Sequence, residues 1–520
     1  MTVTKYTIEP VGKTGGKVIY GSPSDAKTTC SIIATDGPSG TIIGMMFDAL
    51  TQPNPDNAEP MSQLAKSWTI SADGTTYTFT LQDGVKWHDG QPFTANDVKF
   101  TYELVLNPKT NSPFTSDIGP KIKSIDVVDD THIVFTLKQP DAGFLANDTQ
   151  GNFAIIPQHI LKDVAPDKLA SDPFSTGQKG RTIGTGPFMF QEWVKDDHVL
   201  EVKNPNYWGG APAIDQWYYK VVPSSSVLTQ QLRTGDVDFG AIQPADYASM
   251  TKQSNINVSV YDTYGFEFYG YNLDPTKTTL FQEREVRQAL LYALNRPQMN
   301  TALNFGLGTV ADTTIPVLSW AYDPSAIKES YPYDPAKAES MLDAAGWKKG
   351  SDGIRAKNGK KLSFNINTSP ITQVFVEYAQ AIQEQWSKIG VQATPKSEEW
   401  NAFLNRITGT HDFDVFIVGF GWGADPDESV MWDCNAYQGG FNLYKYCNPQ
   451  VDKLLAQGLL TTDHAKRKAI YDEVQNILET DLPAPTLYLA KAIAGVNKRV
   501  HNLFPNAVND TWDVTKWWVD

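Results

Sequence analysis

Five residues, Asp414-Val415-Phe416-Ile417-Val418, constrain this chain most, because an apolar, β-branched run of that length reads as a fully buried strand. Gly419, Gly421 and Gly423 then interrupt it, each a place where another group can approach the backbone closely. Trp422 supplies a rigid aromatic wall, and Asp425-Pro426-Asp427 puts two carboxylates on the turn that leaves the strand. Cys434 and Cys447 bracket the loop that follows, with Phe441 inside it. A strand end of this kind is either the wall of a ligand site or an ordinary Gly/Asp/Pro turn, and these residues alone leave both readings open.

With 520 residues, 41% of them hydrophobic, the chain can bury several cores, so two to four domains are expected. No apolar run reaches the roughly 18 residues that a membrane-spanning helix needs. The opening MTVTKYTIEP lacks the apolar stretch of a signal peptide, so the expected location is either cytoplasmic or beyond a membrane after removal of a signal. A net charge of −15 disfavours nucleic acid and anionic membranes as partners. The three cysteines do not form a disulfide scaffold. Cys434 and Cys447 are either two buried thiols or a bridge, and closing a loop of that size would contribute roughly 3 kcal/mol. Cys30 reads as a small buried hydrophobe.

Lys17-Val18-Ile19-Tyr20 is a short strand, and Thr41 to Leu50 an apolar, helical segment. Gly12-Lys13-Thr14 looks like the end of a phosphate-binding loop, but Thr7 stands where that motif needs its first glycine. Residues 68–103 are denser in signal. Asp73-Gly74 is a hairpin turn, Tyr77, Phe79 and Leu81 alternate as one face of a strand, and Thr94 caps a helix that places Val98, Tyr102 and Val105 together.

The phrase SWTISADGTTYTFTLQDGVKWHDGQPFTANDV resembles the signature of the family 5 extracellular solute-binding proteins, the oligopeptide-, dipeptide- and nickel-type receptors of ABC importers. The similarity continues at Gly184-Thr185-Gly186-Pro187-Phe188, Asn204-Pro205-Asn206-Tyr207-Trp208, Gln231 to Asp238, Glu285 to Leu290, Asp334-Pro335, residues 373–389 and Asn448 to Leu455. The resemblance implies an α/β, periplasmic-binding-protein-like class II fold with two lobes around a hinged cleft and three domains. Domain I is expected at 1–48, 185–276 and 496–520, domain II at 49–184 and domain III at 277–495. Asn272 to Gln282 and Val496 to Pro505 would be the hinge, and Trp512, Trp517 and Trp518 would pack domain I. His88-Asp89 sits in a strand-turn signature, which suggests a structural role.

No enzyme is expected. The seven histidines are scattered, the nearest pair being His132 and His159, so nothing local chelates a metal, and no G-x-S-x-G elbow occurs. Asp425 and Asp427, on one turn, would not straddle a glycosidic bond, which needs carboxyls about 5 to 9 Å apart on opposed walls. The resemblance assigns a binding site instead, without cofactor. Gly421-Trp422-Gly423-Ala424-Asp425 aligns with the family stretch where an aspartate receives the ligand's α-ammonium and the backbone pairs with the peptide as an added strand. Asp425 is the expected ammonium acceptor, the Trp422–Ala424 backbone the pairing edge, and Trp400 and Phe441 further pocket residues. The expected function is to capture a peptide for an ABC importer permease, as a monomer outside the cytoplasm, either periplasmic or lipid-anchored. An oligosaccharide stacked on tryptophan, and a nickel or metal chelate, are the alternatives. Because Cys434 and Cys447 bracket the ligand loop, a disulfide between them is expected, and with it an extracytoplasmic protein.

Overall fold

Strict alternation of Tyr77, Phe79 and Leu81 with threonines gives the strand Thr76–Leu81 one buried face. It pairs antiparallel with Ala65–Ile70 across the turn that holds Gly74 at φ 70°, and with His132–Leu137 on its other edge. Ile122–Asp129 completes a four-stranded sheet. The helix Ala95–Leu106 begins where the sequence places its cap: Thr94 accepts from the Asn96 N–H, and the Thr94 N–H donates to Asp97 at 2.9 Å. Val98, Tyr102 and Val105 are fully buried on its inner face. These elements belong to a computed structural model that describes residues 7–370, 372–438, 440–508 and 512–520.

The chain divides into two compact units, one running up to Tyr261 and taking in Ala492–Asp520, the other Asp262–Lys491. In the first, Lys17–Ser22 lies between two parallel neighbours, Gln216–Val221 and Phe239–Ala241. The antiparallel strands His198–Lys203 and Phe188–Val194 extend it on one side. Trp517 is buried in the cluster of Val18, Trp217, Phe239 and Val496, and Trp518 stacks on His501 at 3.7 Å. Cys30 is buried, and burial pushes its thiol up to about 12, so it behaves as an inert apolar group.

Two polar groups tie this unit together. His88 Nδ1 accepts the Gly184 N–H and its Nε2 donates to the Gly186 carbonyl, each at 3.0 Å, which fixes the neutral Nε2–H tautomer. Burial holds its pKa down at about 4, so the histidine is a structural bridge. Asp48 accepts from Gln63 (3.0 Å), Thr185 (2.9 Å), Tyr207 (3.1 Å) and Trp208 (2.9 Å). Residues 49–184 therefore leave and return at one hydrogen bond, Thr185 to Asp48.

In the second unit, Ser363–Thr368 lies parallel to both Gln392–Ser397 and Val415–Gly421. Val415–Gly421 pairs antiparallel with the long strand Ile256–Tyr271, which Thr486–Asn497 flanks. The helices follow the sequence closely. Asp334 caps Pro335–Ala344 by accepting the Lys337 N–H, Gln373–Lys388 buries Phe375, Ala379, Ile382 and Trp386, and Asn448 caps Pro449–Leu459.

The unit boundaries fall between Tyr261 and Asp262 and between Lys491 and Ala492, so the chain passes between the units within two strands, Ile256–Tyr271 and Thr486–Asn497. Asp262 and Lys491, at these two passages, form an ion pair of 3.1 Å, and Thr263 Oγ1 donates to the Ala490 carbonyl at 3.0 Å.

Candidate functional site

The strand Val415–Gly421 runs through Gly419 to Gly421, so the first glycine continues the strand instead of interrupting it. Its pleat sends Phe416, Val418 and Phe420 to one face, against Phe266 and Phe268, and Val415 and Ile417 to the other, against Tyr269 and Tyr271. What approaches Gly419 is the Glu267 carboxylate, since a methyl group at position 419 would collide with it. Gly421 is different: it is exposed, and a side chain there would meet nothing within 4 Å.

Past the strand, the Trp422 N–H donates to the Tyr264 carbonyl at 2.9 Å, and its indole Nε1 to the Asp427 carbonyl at 3.1 Å. The Ala424 carbonyl accepts from Ser319 Oγ at 2.7 Å. Both ends of the expected pairing edge are thus engaged inside the unit. Gly423, exposed between them, has no backbone hydrogen-bond partner among the described residues. Phe441 is 50% exposed and rests its edge on Phe420, 5.4 Å between centroids, while Trp400 packs on Phe403 at 5.8 Å. Phe441 is thereby tied to the site strand, and Trp400 to the helix that begins with it.

Asp425 is paired inside the unit. It is 5% exposed, and its two oxygens receive Arg467 Nη1 at 2.5 Å and Nη2 at 2.7 Å. Oδ1 also accepts the Asp427 N–H at 3.0 Å. Burial by itself lowers the pKa of Arg467, but the Asp425 carboxylate more than reverses this and holds the guanidinium charged. Arg467 is itself 2% exposed, donates from Nε to the Gly458 carbonyl at 3.0 Å, and lies over Trp320 and Tyr471. Oδ1 of Asp425 is thereby doubly engaged, while Oδ2 keeps an acceptor position beyond the one that Arg467 takes. Arg467 is 42 residues away in the helix His464–Asp481, with no local pattern linking the two. Burial pushes Asp427 up to about 6, although Ser429 donates to it.

Cys434 and Cys447 are joined, with Cα atoms 4.5 Å apart, and the loop between them carries Phe441. The one group among the described residues close enough to hold a metal is this pair with Asp452, and the bridge consumes both thiols. Glu267 is a lone acid within Tyr264-Gly265-Phe266-Glu267-Phe268-Tyr269.

Residues 59–442 match the family model described as bacterial extracellular solute-binding proteins, family 5 Middle. The oligopeptide-binding protein AppA of Bacillus subtilis is 30% identical over 507 residues, 97% of this chain and 92% of that protein. Its structure, solved with a nonapeptide, covers 98% of this chain and 100% of its own at a TM-score of 0.80 and 29% identity. DppA of Helicobacter pylori, solved with the peptide STSA, covers 98% of both chains at a TM-score of 0.77 and 26% identity. NikZ of Campylobacter jejuni, solved with Ni(L-His), covers 96% of this chain and 99% of its own at a TM-score of 0.79 and 27% identity.

Proposed function

Since this chain belongs to the bacterial extracellular solute-binding proteins of family 5, with their periplasmic-binding-protein fold, we propose that it is the peptide-capturing receptor of an ABC importer. It would act outside the cytoplasm, as a monomer, and pass its ligand to the permease subunits. The carrying observation is the end of the buried strand, where Gly421 and Gly423 are exposed and the Gly423 backbone has no hydrogen-bond partner among the described residues. Backbone groups left open beside a rigid strand suit a main chain, whatever its side chains, because strand addition needs only matched donors and acceptors. Trp422 and Phe441 supply apolar surface on either side, with Trp400 a more distant member. Asp425 is held in this wall by Arg467, and the remaining acceptor position on Oδ2 would receive the ligand's α-ammonium. The Cys434–Cys447 bridge supports an oxidising compartment.

The oligosaccharide alternative needs open indole faces, and five of the fourteen tryptophans, Trp87, Trp217, Trp386, Trp432 and Trp517, are fully buried and have none. A thermal-shift screen against defined peptides, oligosaccharides and metal chelates tests the peptide reading, because a ligand at 100 times its Kd adds about 2.7 kcal/mol of stability. A shift with peptides alone is expected. A shift with sugars or chelates and none with peptides would overturn it.

A further inference from the structure

Glu428 follows directly on Asp425-Pro426-Asp427 and is buried, 3% exposed. Its Oε2 accepts from Thr314 Oγ1 and from the Trp432 indole Nε1, each at 2.6 Å, while its Oε1 is enclosed and has no hydrogen-bond partner. The Tyr444 hydroxyl, close enough to feel the Glu428 charge, is fully buried and likewise has no partner. Thr314 and Trp432 also line a small cavity of about 10 Å³, room for one water-sized particle, together with Thr313, Gln475 and Glu479. Glu479, on the helix His464–Asp481, is 6% exposed, and its side chain makes no hydrogen bond among the described residues. The guanidinium that faces it, Arg296, is committed elsewhere: it pairs with Asp312 at 2.5 Å and donates to the Ala311 and Thr486 carbonyls at 2.9 Å each. Buried polar groups are nearly always partnered, so three left open around one small space point to something that fills it.

We propose that this nest binds one hard cation, with Glu428 and Glu479 supplying the charge and the hydroxyl oxygens beside them completing the shell. A water molecule would offer hydrogen bonds but no charge, and uncompensated carboxylates in a protein interior are costly. Asp427 from the turn and Asp312 from beside Arg296 add like charge, which deepens the deficit. Burial pushes Glu428 up to about 7 and Glu479 up to about 8, the same cost expressed as proton affinity. Every donor around the cavity is oxygen, with no imidazole or thiolate among them, which suits Na⁺ or Ca²⁺ and not a transition metal. Mg²⁺ gives up its water reluctantly and keeps several molecules of it, for which a space of this size has no room. An ion held by Glu428 would brace the turn that carries Asp425 from inside the unit.

The test uses the whole protein, dialysed against a chelator and returned to a choline chloride buffer of fixed ionic strength. Radiolabelled Na⁺ or Ca²⁺ is offered in equilibrium dialysis, and the thermal transition of Asp262–Lys491 is followed in parallel with Na⁺, Ca²⁺ or Mg²⁺. Wild type should bind one equivalent of Na⁺ or Ca²⁺, and its transition should rise with the concentration of that ion, because binding to the folded state alone stabilises it. Which of the two binds names the ion. Mg²⁺ should produce little rise. Glu479→Gln and Glu428→Gln should each bind at least tenfold more weakly and lose the rise. The wild-type stoichiometry stands whether or not either variant folds. No bound ion, with a transition insensitive to all three salts, overturns the inference and leaves two protonated acids around a water. Unchanged binding by Glu479→Gln, or an equal rise with Mg²⁺, would place the ion at the surface and also refute it.

Discussion

Replacing Asp425 with asparagine keeps the side chain's shape and removes its charge. In the fold this strands Arg467, which is 2% exposed and would keep only the Gly458 carbonyl, the Tyr471 hydroxyl and whatever the amide oxygen returns. Breaking one half of a buried pair costs about 3–5 kcal/mol, because the partner's charge stays buried. The two contacts of 2.5 and 2.7 Å put this pair among the well-formed ones. For a unit of this size each kcal/mol shifts the melting temperature by about 2–4 °C, so a fall of about 6 to 20 °C is expected. The assay is thermal and urea denaturation of Asp425→Asn, Arg467→Met and the double variant. Two units need not unfold together, so the transition assigned to Asp262–Lys491 is the one to follow. The double variant should recover much of the loss, since a matched removal leaves no stranded charge. Peptide affinity per folded molecule should also fall, because the charge that meets the ligand's α-ammonium is gone. An unshifted transition for Asp425→Asn would refute this reasoning.

Four further outcomes are expected. Glu201 is fully buried with neither oxygen partnered, and burial raises its pKa well above the usual carboxylate range. Its folded form is neutral, so stability falls as pH rises above the unfolded value of about 4.3, and Glu201→Gln should gain about 1–3 kcal/mol at pH 8, read by urea titration. His88 has the opposite sign: with its pKa lowered to about 4, stability is lost as pH falls from about 6.5 toward 4, by up to about 3 kcal/mol. A His88→Asn variant that kept an equally steep acid limb would contradict that assignment. Reducing the Cys434–Cys447 bridge should lower stability by roughly 3 kcal/mol, and a Cys434→Ser/Cys447→Ser protein with an unchanged melting temperature would argue against it. Phe441→Ser, at a half-exposed position, should leave stability within about 0.5 kcal/mol while weakening peptide binding in calorimetry, and an unaltered Kd would remove Phe441 from the site.

Local signals carried most of the architecture. The caps at Thr94, Asp334 and Asn448 and the faces of Ala95–Leu106 and Gln373–Lys388 were legible because capping and amphipathic spacing act within one or two turns. The bridge between Cys434 and Cys447 was legible for a similar reason, since the two bracket one loop. The roles at the site were less so. Gly421, Gly423 and Phe441 could be read as open positions, but the fate of Asp425 depends on an arginine brought to it by tertiary packing. Gly419 resembled Gly421 in the sequence and is filled by a side chain from the neighbouring strand, a fact fixed by antiparallel register. The unit boundaries lie inside the strands Ile256–Tyr271 and Thr486–Asn497, so no turn residue marks them in the sequence.

The hydrogen bond from Thr185 to Asp48 makes residues 49–184 a detour that begins and ends at one point. To the strands on either side of it, the length of that detour is invisible. Closing a loop costs only about 0.6 kcal/mol more for each doubling of its length, so this is where a chain of this kind can lengthen or shorten over evolutionary time. The same property makes it a place for a reporter. A fluorescent module spliced between the exposed turn residues Ala72 and Asp73 would ride on the detour's four-stranded sheet, with no change to the geometry at which the detour rejoins its host.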